Sequence, residues 1–168
     1  MKSAFCEVGH MRLRTPLDDR SSWSPIGHCP IEKAMGVIGS RPAMLILREA
    51  HYGTRRFDDF VARIGLAPAT AATHLRALTD AGLIARQPYR DEGVRTRDEY
   101  VLTQAGIDLI PVVIGLFEWG TKHAEGSDKL EFAHIGCGEP VALHVSCTAG
   151  HDLGADEIEV RLEERARA

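Results

Sequence analysis

Residues 57–103 read FDDFVARIGLAPATAATHLRALTDAGLIARQPYRDEGVRTRDEYVLT, and this stretch decides the fold. Its centre is a helix opening at Pro68, since proline suits a first turn whose N–H groups are unpaired in any case. Ala67 precedes it as a poor N-cap, where Ser or Asp would bond the first turn. Ala71, Leu75, Leu78 and Leu83 recur at helical spacing and predict an inward face. Thr70, Thr73, His74, Arg76 and Thr79 are left for water or a partner. Asp80-Ala81-Gly82 closes the helix, because glycine accepts the left-handed conformation that ends one. Upstream, Phe57, Phe60, Val61 and Ile64 form a second amphipathic helix ending at Gly65. Two such helices joined by a short Gly- and Pro-containing turn make a helix-turn-helix.

Downstream, Leu83, Ile84, Tyr89, Val94, Tyr100 and Leu102 are strand formers around the turn cluster Asp91-Glu92-Gly93. Arg86, Arg90, Arg95 and Arg97 surround that turn. Arginines on a projecting ribbon pair with phosphates or enter a minor groove; an isolated charged hairpin would merely be soluble. Directly after a helix-turn-helix, the ribbon reads as a wing. The expected class is α+β, mainly α: a winged helix, an architecture that ordinarily holds DNA.

Outside this stretch, residues 31–38 and 42–51 read as two scaffold helices. Ile31, Ala34, Met35 and Ile38 make one apolar stripe. Met44, Leu45, Ile46 and Leu47 are nearly continuous, so the second helix is expected to be buried on most sides. Pro42 fits its first turn. Arg55 and Arg56 lie just before the helix-turn-helix, placed for phosphates or simply solvated. After the wing, Ile107, Leu109, Ile110, Val113, Ile114, Leu116, Phe117 and Trp119 predict an apolar helix over 104–123. A terminal helix this apolar needs covering, and a second copy of itself would cover it.

Residues 29–120 resemble the HxlR-type transcriptional regulators, within the MarR-like winged-helix group. The likeness is carried by an ordered set: Cys29-Pro30-Ile31-Glu32-Lys33-Ala34, Ile38-Gly39, Leu45-Ile46-Leu47-Arg48-Glu49 and Gly53-Thr54-Arg55-Arg56-Phe57. Leu75-Arg76-Ala77-Leu78, Ala81-Gly82-Leu83-Ile84, Tyr100-Val101-Leu102-Thr103, Gly106 and Glu118-Trp119 continue it. The resemblance implies a dimeric DNA-binding regulator, more often a repressor, frequently acting near its own gene. Two departures stand out: Arg41-Pro42 replaces the family's usual Lys-Trp pair, and Ala69-Thr70-Ala71-Ala72-Thr73-His74 is less polar than usual. Base preference therefore does not carry over. In such a dimer two recognition helices lie about 34 Å apart, so the operator is expected to be an approximate palindrome. The expected DNA-binding residues are Arg55, Arg56, Thr70, Thr73, His74, Arg76, Arg90, Arg95 and Arg97. Arg76 is the strongest candidate for a guanine or phosphate, and the wing arginines for a minor groove or phosphates.

The 168 residues, 44% hydrophobic and 26% charged, describe an ordinary globular protein. No apolar run of about 18 residues predicts a membrane span, and the N-terminus lacks a signal-peptide core, so a cytoplasmic location is expected. The net charge of −4 is unevenly placed. Residues 26–104 carry 11 Lys or Arg against 9 Asp or Glu, whereas residues 121–168 carry 5 against 10. The acidic excess lies away from the expected DNA surface and would disfavour non-specific contacts. Three regions are expected: a flexible arm over 1–25, a winged-helix and dimerisation domain over 26–124, and an acidic extension over 125–168. Family resemblance allows the arm to join the dimer through Trp23; a disordered leader, or a true start at Met11, are the alternatives. Residues 155–168 suggest a short strand or a frayed helix.

Two places suggest chemistry. Cys29 stands at a helix N-terminus, where the dipole and free N–H groups favour a thiolate. Some HxlR-type proteins sense oxidants or electrophiles with a cysteine near this position; a buried, inert thiol is the alternative. Cys6 is a weak candidate for a resolving partner. The second place is His134, Cys137, Cys147 and His151, a two-His, two-Cys set resembling the zinc-ribbon extension of some family members, with Gly150 standing where the last cysteine of a Cys-x-x-Cys would be. His144 is a spare donor, and 140–145 would be a ribbon strand. Any zinc there would be structural; a ribbon held by packing alone is the other reading. A small apolar ligand between the helices is a further expected signal, its identity unknown. The rival functions are a winged-helix dimer used as a protein scaffold and, weakly, a metal hydrolase at the same four residues, with Glu139 nearby.

Overall fold

The computed structural model describes residues 9–21, 24, 27, 29–89, 97–126 and 130–162. Along the chain run β1 (Arg12–Leu13), α1 (Pro30–Ile38), α2 (Arg41–His51), α3 (Phe57–Ile64), α4 (Pro68–Asp80), β2 (Ile84–Tyr89), β3 (Arg97–Leu102), α5 (Gln104–Ile107), α6 (Ile110–His123) and β4 (Glu159–Val160). They form two units, one over residues 27–143 and one joining the N-terminal segment to residues from His144 onward. Among the described residues, no helix is long and apolar enough to cross a membrane.

The first unit is the winged helix, built around α2. Ser40 caps α2 by accepting the N–H of Ala43 (3.3 Å). Ile46 and Leu47 are fully buried with Phe60 of α3, Leu75 and Leu78 of α4 and Ile84 of β2. Each such side chain contributes about 1.5–3 kcal/mol by leaving water. Gly65 (φ 70°) and Gly82 (φ 73°) take the left-handed conformation that lets α3 and α4 stop where the turns begin. β2 and β3 pair antiparallel from Ile84 with Leu102 to Tyr89 with Arg97. Pro88 is tolerated because both strands of this two-stranded sheet are edges. The expected turn at 91–93, with Arg90 and Arg95, lies outside the described residues. Tyr100 N–H donates to the Arg55 carbonyl (2.8 Å), tying the wing to the loop before α3.

Three expectations change. The single helix over 104–123 is two, because Pro111 offers no N–H to the preceding turn and its ring crowds the carbonyl there. The chain reopens at Asp108-Leu109, and the Leu109 carbonyl accepts from Val112 and Val113 to start α6. Second, residues 140–145 form no strand. They are divided between two local turns: Val141 N–H donates to the Phe132 carbonyl, and Leu153 N–H to the Val145 carbonyl (both 2.8 Å). Third, the winged unit runs on to Leu143 rather than ending at 124. Phe132 packs on Phe117 at 4.5 Å between ring centroids, and Leu143 N–H donates to Glu118 Oε1 at 2.7 Å.

In the second unit, β1 and β4 pair in parallel, Arg12 opposite Glu159 and Leu13 opposite Val160. Leu17 is buried. The described part of the N-terminal arm is thus folded with the C-terminal segment, which backbone bonds from Arg12 and Arg14 hold (2.9 and 3.0 Å). Residues 155–157 form a 3-10 turn leading into the short strand. Trp23 and Cys6 lie outside the described residues.

Candidate DNA-binding surface

With Ala71, Leu75 and Leu78 turned inward, α4 exposes Thr73 and Arg76 on its outer face. Arg76 has no ion-pair partner among the described residues, so its guanidinium is available to an outside acceptor. Thr73 donates its hydroxyl to the Ala69 carbonyl one turn back (2.9 Å), leaving the oxygen able to accept. Thr70 is half-buried. His74 is also half-buried, with Nδ1 lying 3.4 Å from Ser40 Oγ at the start of α2. It braces two helices against each other, a role that its position in the pattern does not reveal. Ala67 provides no side-chain cap and Pro68 has no N–H, so the first-turn N–H groups of Ala69 and Thr70 are left for an outside acceptor.

A second group of arginines lies between the α2–α3 loop and β3. Arg55 pairs with Glu99 (3.4 Å), and the Arg56 guanidinium stands 4.9 Å from the Tyr89 ring centroid. With Arg63, Asp59, Thr54 and Glu99 they line a polar cleft of about 280 Å³. Arg63 was missed by the sequence reading; its signal was its place in the last turn of the first helix of the motif. Behind this loop, buried Glu49 accepts from Arg48 Nη2 (2.7 Å) and Thr54 Oγ1 (3.2 Å), while its carbonyl accepts the Thr54 N–H. Arg86 is paired with Asp98, and Arg97 is exposed at the start of β3.

Cys29 occupies the N-cap position of α1, half-buried, with a free thiol; its carbonyl accepts the Lys33 N–H. In the C-terminal region the four expected metal donors form two local pairs. His134 Nδ1 is 3.1 Å from Cys137 Sγ in one unit, and Cys147 Sγ is 3.4 Å from His151 Nδ1 in the other. The backbone N–H of His151, then that of Ala149, hold the half-buried Cys147 thiol below its ordinary value of 9.0. A structural zinc takes four donors. Each turn supplies two, and among the described residues no group of three or more His, Cys, Asp or Glu is gathered for a metal. His144 adds no third donor.

The model of the HxlR-like helix-turn-helix family matches residues 37–128, which contain the whole of this surface. The chain belongs to that family. An uncharacterized HTH-type transcriptional regulator of Mycobacterium tuberculosis, Rv3095, is 33% identical over 131 residues, 76% of this chain and 82% of that protein. The crystal structure of PA1607, classed as a candidate transcription factor, superposes with a TM-score of 0.73 at 29% identity, covering 83% of this chain and 97% of that one. The reduced form of the redox regulator HypR superposes with a TM-score of 0.52 at 26% identity over 58% of this chain and 95% of its own. This HxlR-type protein is a DNA-binding transcriptional regulator with a winged helix-turn-helix fold, and α4 is the second helix of its helix-turn-helix.

Proposed function

We propose that this regulator is a cytoplasmic homodimeric repressor that grips an approximately palindromic operator and releases it when Cys29 is oxidised or alkylated. The dimer rests on one observation. Val112, Leu116 and Trp119, spaced along one stripe of α6, are 43%, 53% and 63% exposed in the single chain. Ile107 (46%), and Ile31 (73%) and Met35 (55%) of α1, add to the uncovered apolar area of the same unit. A stripe of this kind is stable in water when a two-fold axis lays it against its own copy. Arg76 and Thr73 would then read base edges, with Thr70 and His74 beside them. Arg55, Arg56, Arg63 and Arg97 would follow phosphates, and Arg90 and Arg95 would complete the wing.

The thiol switch is supported by the place of Cys29 at the mouth of α1, partly open to solvent and unpaired. Oxidation there adds polar bulk beside the apolar α1 face. The reduced and oxidised structures of HypR, a relative by fold and sequence, give the same idea a precedent in that protein.

Sedimentation and fluorescence anisotropy test the reading together. Wild type sediments as a dimer, Leu116→Glu with Trp119→Glu as a monomer, and only the dimer prefers DNA from upstream of its own gene over a scrambled duplex at physiological salt. Diamide releases wild type and leaves Cys29→Ser bound. A monomeric wild type, or binding that is equal on both duplexes and vanishes with salt, refutes the repressor.

A further inference from the structure

Two neighbouring arginines before α3 lie on one face of the wing and are held there by different chemistry. In the β2–β3 register Gln87 stands opposite Glu99 and Tyr89 opposite Arg97, so these four side chains share a face. Arg55 meets that face at Glu99, its Nη1 3.4 Å from the carboxylate Oε1. Arg56 meets it at Tyr89, 4.9 Å from the ring centroid. A ring face positions a guanidinium without cancelling its charge, whereas a carboxylate cancels it.

The pair between Arg55 and Glu99 opens from one end. The Glu99 side chain is 21% exposed and that of Arg55 60%, so the acid is the fixed member and the guanidinium the mobile one. The backbone of Arg55 is held separately, because its carbonyl accepts the Tyr100 N–H at 2.8 Å. Moving the guanidinium therefore leaves the loop in place. An exposed ion pair contributes little, so a phosphate can take the guanidinium from Glu99. The cleft that both residues line also holds Arg56, Arg63 and Asp59, three cations against two carboxylates. Removing one of those carboxylates doubles its net positive charge.

We propose that Glu99 is a positioning residue that competes with DNA phosphate for Arg55. In the free protein it holds the guanidinium against the wing. On DNA the guanidinium turns to a phosphate, and the carboxylate left behind repels that phosphate. Glu99 thus lowers affinity for DNA of any sequence and makes that binding less dependent on salt. The inference rests on the placing of Arg55 at phosphates; it needs neither the operator nor the dimer nor the thiol switch.

Fluorescence anisotropy of the full chain on a scrambled duplex, across a salt series, tests it. Glu99→Gln keeps the shape and removes the charge. It binds about two- to five-fold more tightly than wild type near about 0.1 M salt. Its log K falls more steeply with log salt, by as much as about 0.9, the value of one phosphate. Glu99→Asp restores the charge and returns the slope toward wild type. In the Arg55→Ala background Glu99→Gln gives less than half of the gain, because the competitor has lost what it competes for. The substituted side chains are those of an exposed pair, so each variant keeps the wild-type melting curve. Glu99→Gln with wild-type affinity or an unchanged slope overturns the proposal, as does an equal gain with and without Arg55. Arg55→Ala with wild-type affinity and slope overturns it together with the phosphate role of Arg55. Equal binding of upstream and scrambled duplexes by wild type refutes the repressor alone, since Glu99 is read on the scrambled duplex.

Discussion

Replacing Gly106 by alanine sets local propensity directly against tertiary packing. Gly106 sits in α5, where alanine is favoured over glycine by about 1 kcal/mol, so the sequence alone predicts stabilisation. In the fold it is buried, and a Cβ there would stand 2.2 Å from the Leu83 carbonyl oxygen and 2.9 Å from Leu102 Cδ2. Reaching an ordinary contact of 3.4 Å requires a shift of roughly 1.2 Å against backbone. That backbone is held: the Leu83 carbonyl accepts the Thr103 N–H at 3.0 Å. Thr103 Oγ1 in turn accepts the Gly106 N–H at 3.2 Å and donates to the Gly82 carbonyl at 2.6 Å. Overpacking costs about 1–3 kcal/mol and a weakened Leu83–Thr103 bond about 1 kcal/mol, against the gain of about 1 kcal/mol in propensity. The net loss is about 1–3 kcal/mol, a fall in Tm of roughly 2–12 °C for a chain of this size. The matched control is Gly36→Ala in α1, where a Cβ meets nothing within 4 Å and a gain of about 0.5–1 kcal/mol is expected. Urea and thermal melts of both variants, fitted separately for each unit's transition, are the assay. A Gly106→Ala protein as stable as wild type would refute the close approach of α5 to the start of the wing.

Arg76→Ala weakens operator binding by about 1–3 kcal/mol while leaving the melting curve unchanged; an unaltered anisotropy isotherm would remove Arg76 from the DNA surface. Burial holds the His51 imidazole below its ordinary value of 6.5, partly opposed by a backbone hydrogen bond at Gly106. On acidification the unfolded chain takes up this proton first, so the His51 contribution is whole above about 6.5 and is lost as pH falls toward the folded value. His51→Gln should flatten the pH dependence of the urea midpoint in that window, and an unchanged slope would argue against it. Iodoacetamide should label Cys147 with a half-maximal rate below pH 9.0, moving back toward 9.0 in urea; identical profiles folded and unfolded would show that the His151 and Ala149 N–H groups do not stabilise the thiolate.

Much of the fold was legible because the signals are local. Pro68 and Gly82 bracket α4, Gly65 ends α3, and Ala71, Leu75 and Leu78 mark the buried face by their spacing alone. The expected 104–123 helix ran through Pro111 because apolar periodicity continues across it, although proline interrupts the hydrogen-bond ladder. Over 140–145 the alternation was real, but Val141 and Val145 spend their backbone bonds on different turns. The candidate site was half legible. Arg76 could be placed from helical phase, whereas His74, one turn from Thr70, is drawn to Ser40, a neighbour 34 residues away.

The sequence by itself determined the winged helix-turn-helix, its second helix and the exposed Thr73 and Arg76 upon it, because helix phase and turn chemistry are properties of neighbouring residues. Tertiary structure decided the rest. It buried Glu49 beneath the loop of Arg55 and Arg56, joined β1 to β4, carried the winged unit on to Leu143, and brought Phe132 against Phe117. Those outcomes depend on which distant groups meet, and burial turns each meeting into a cost or a gain that no local pattern records.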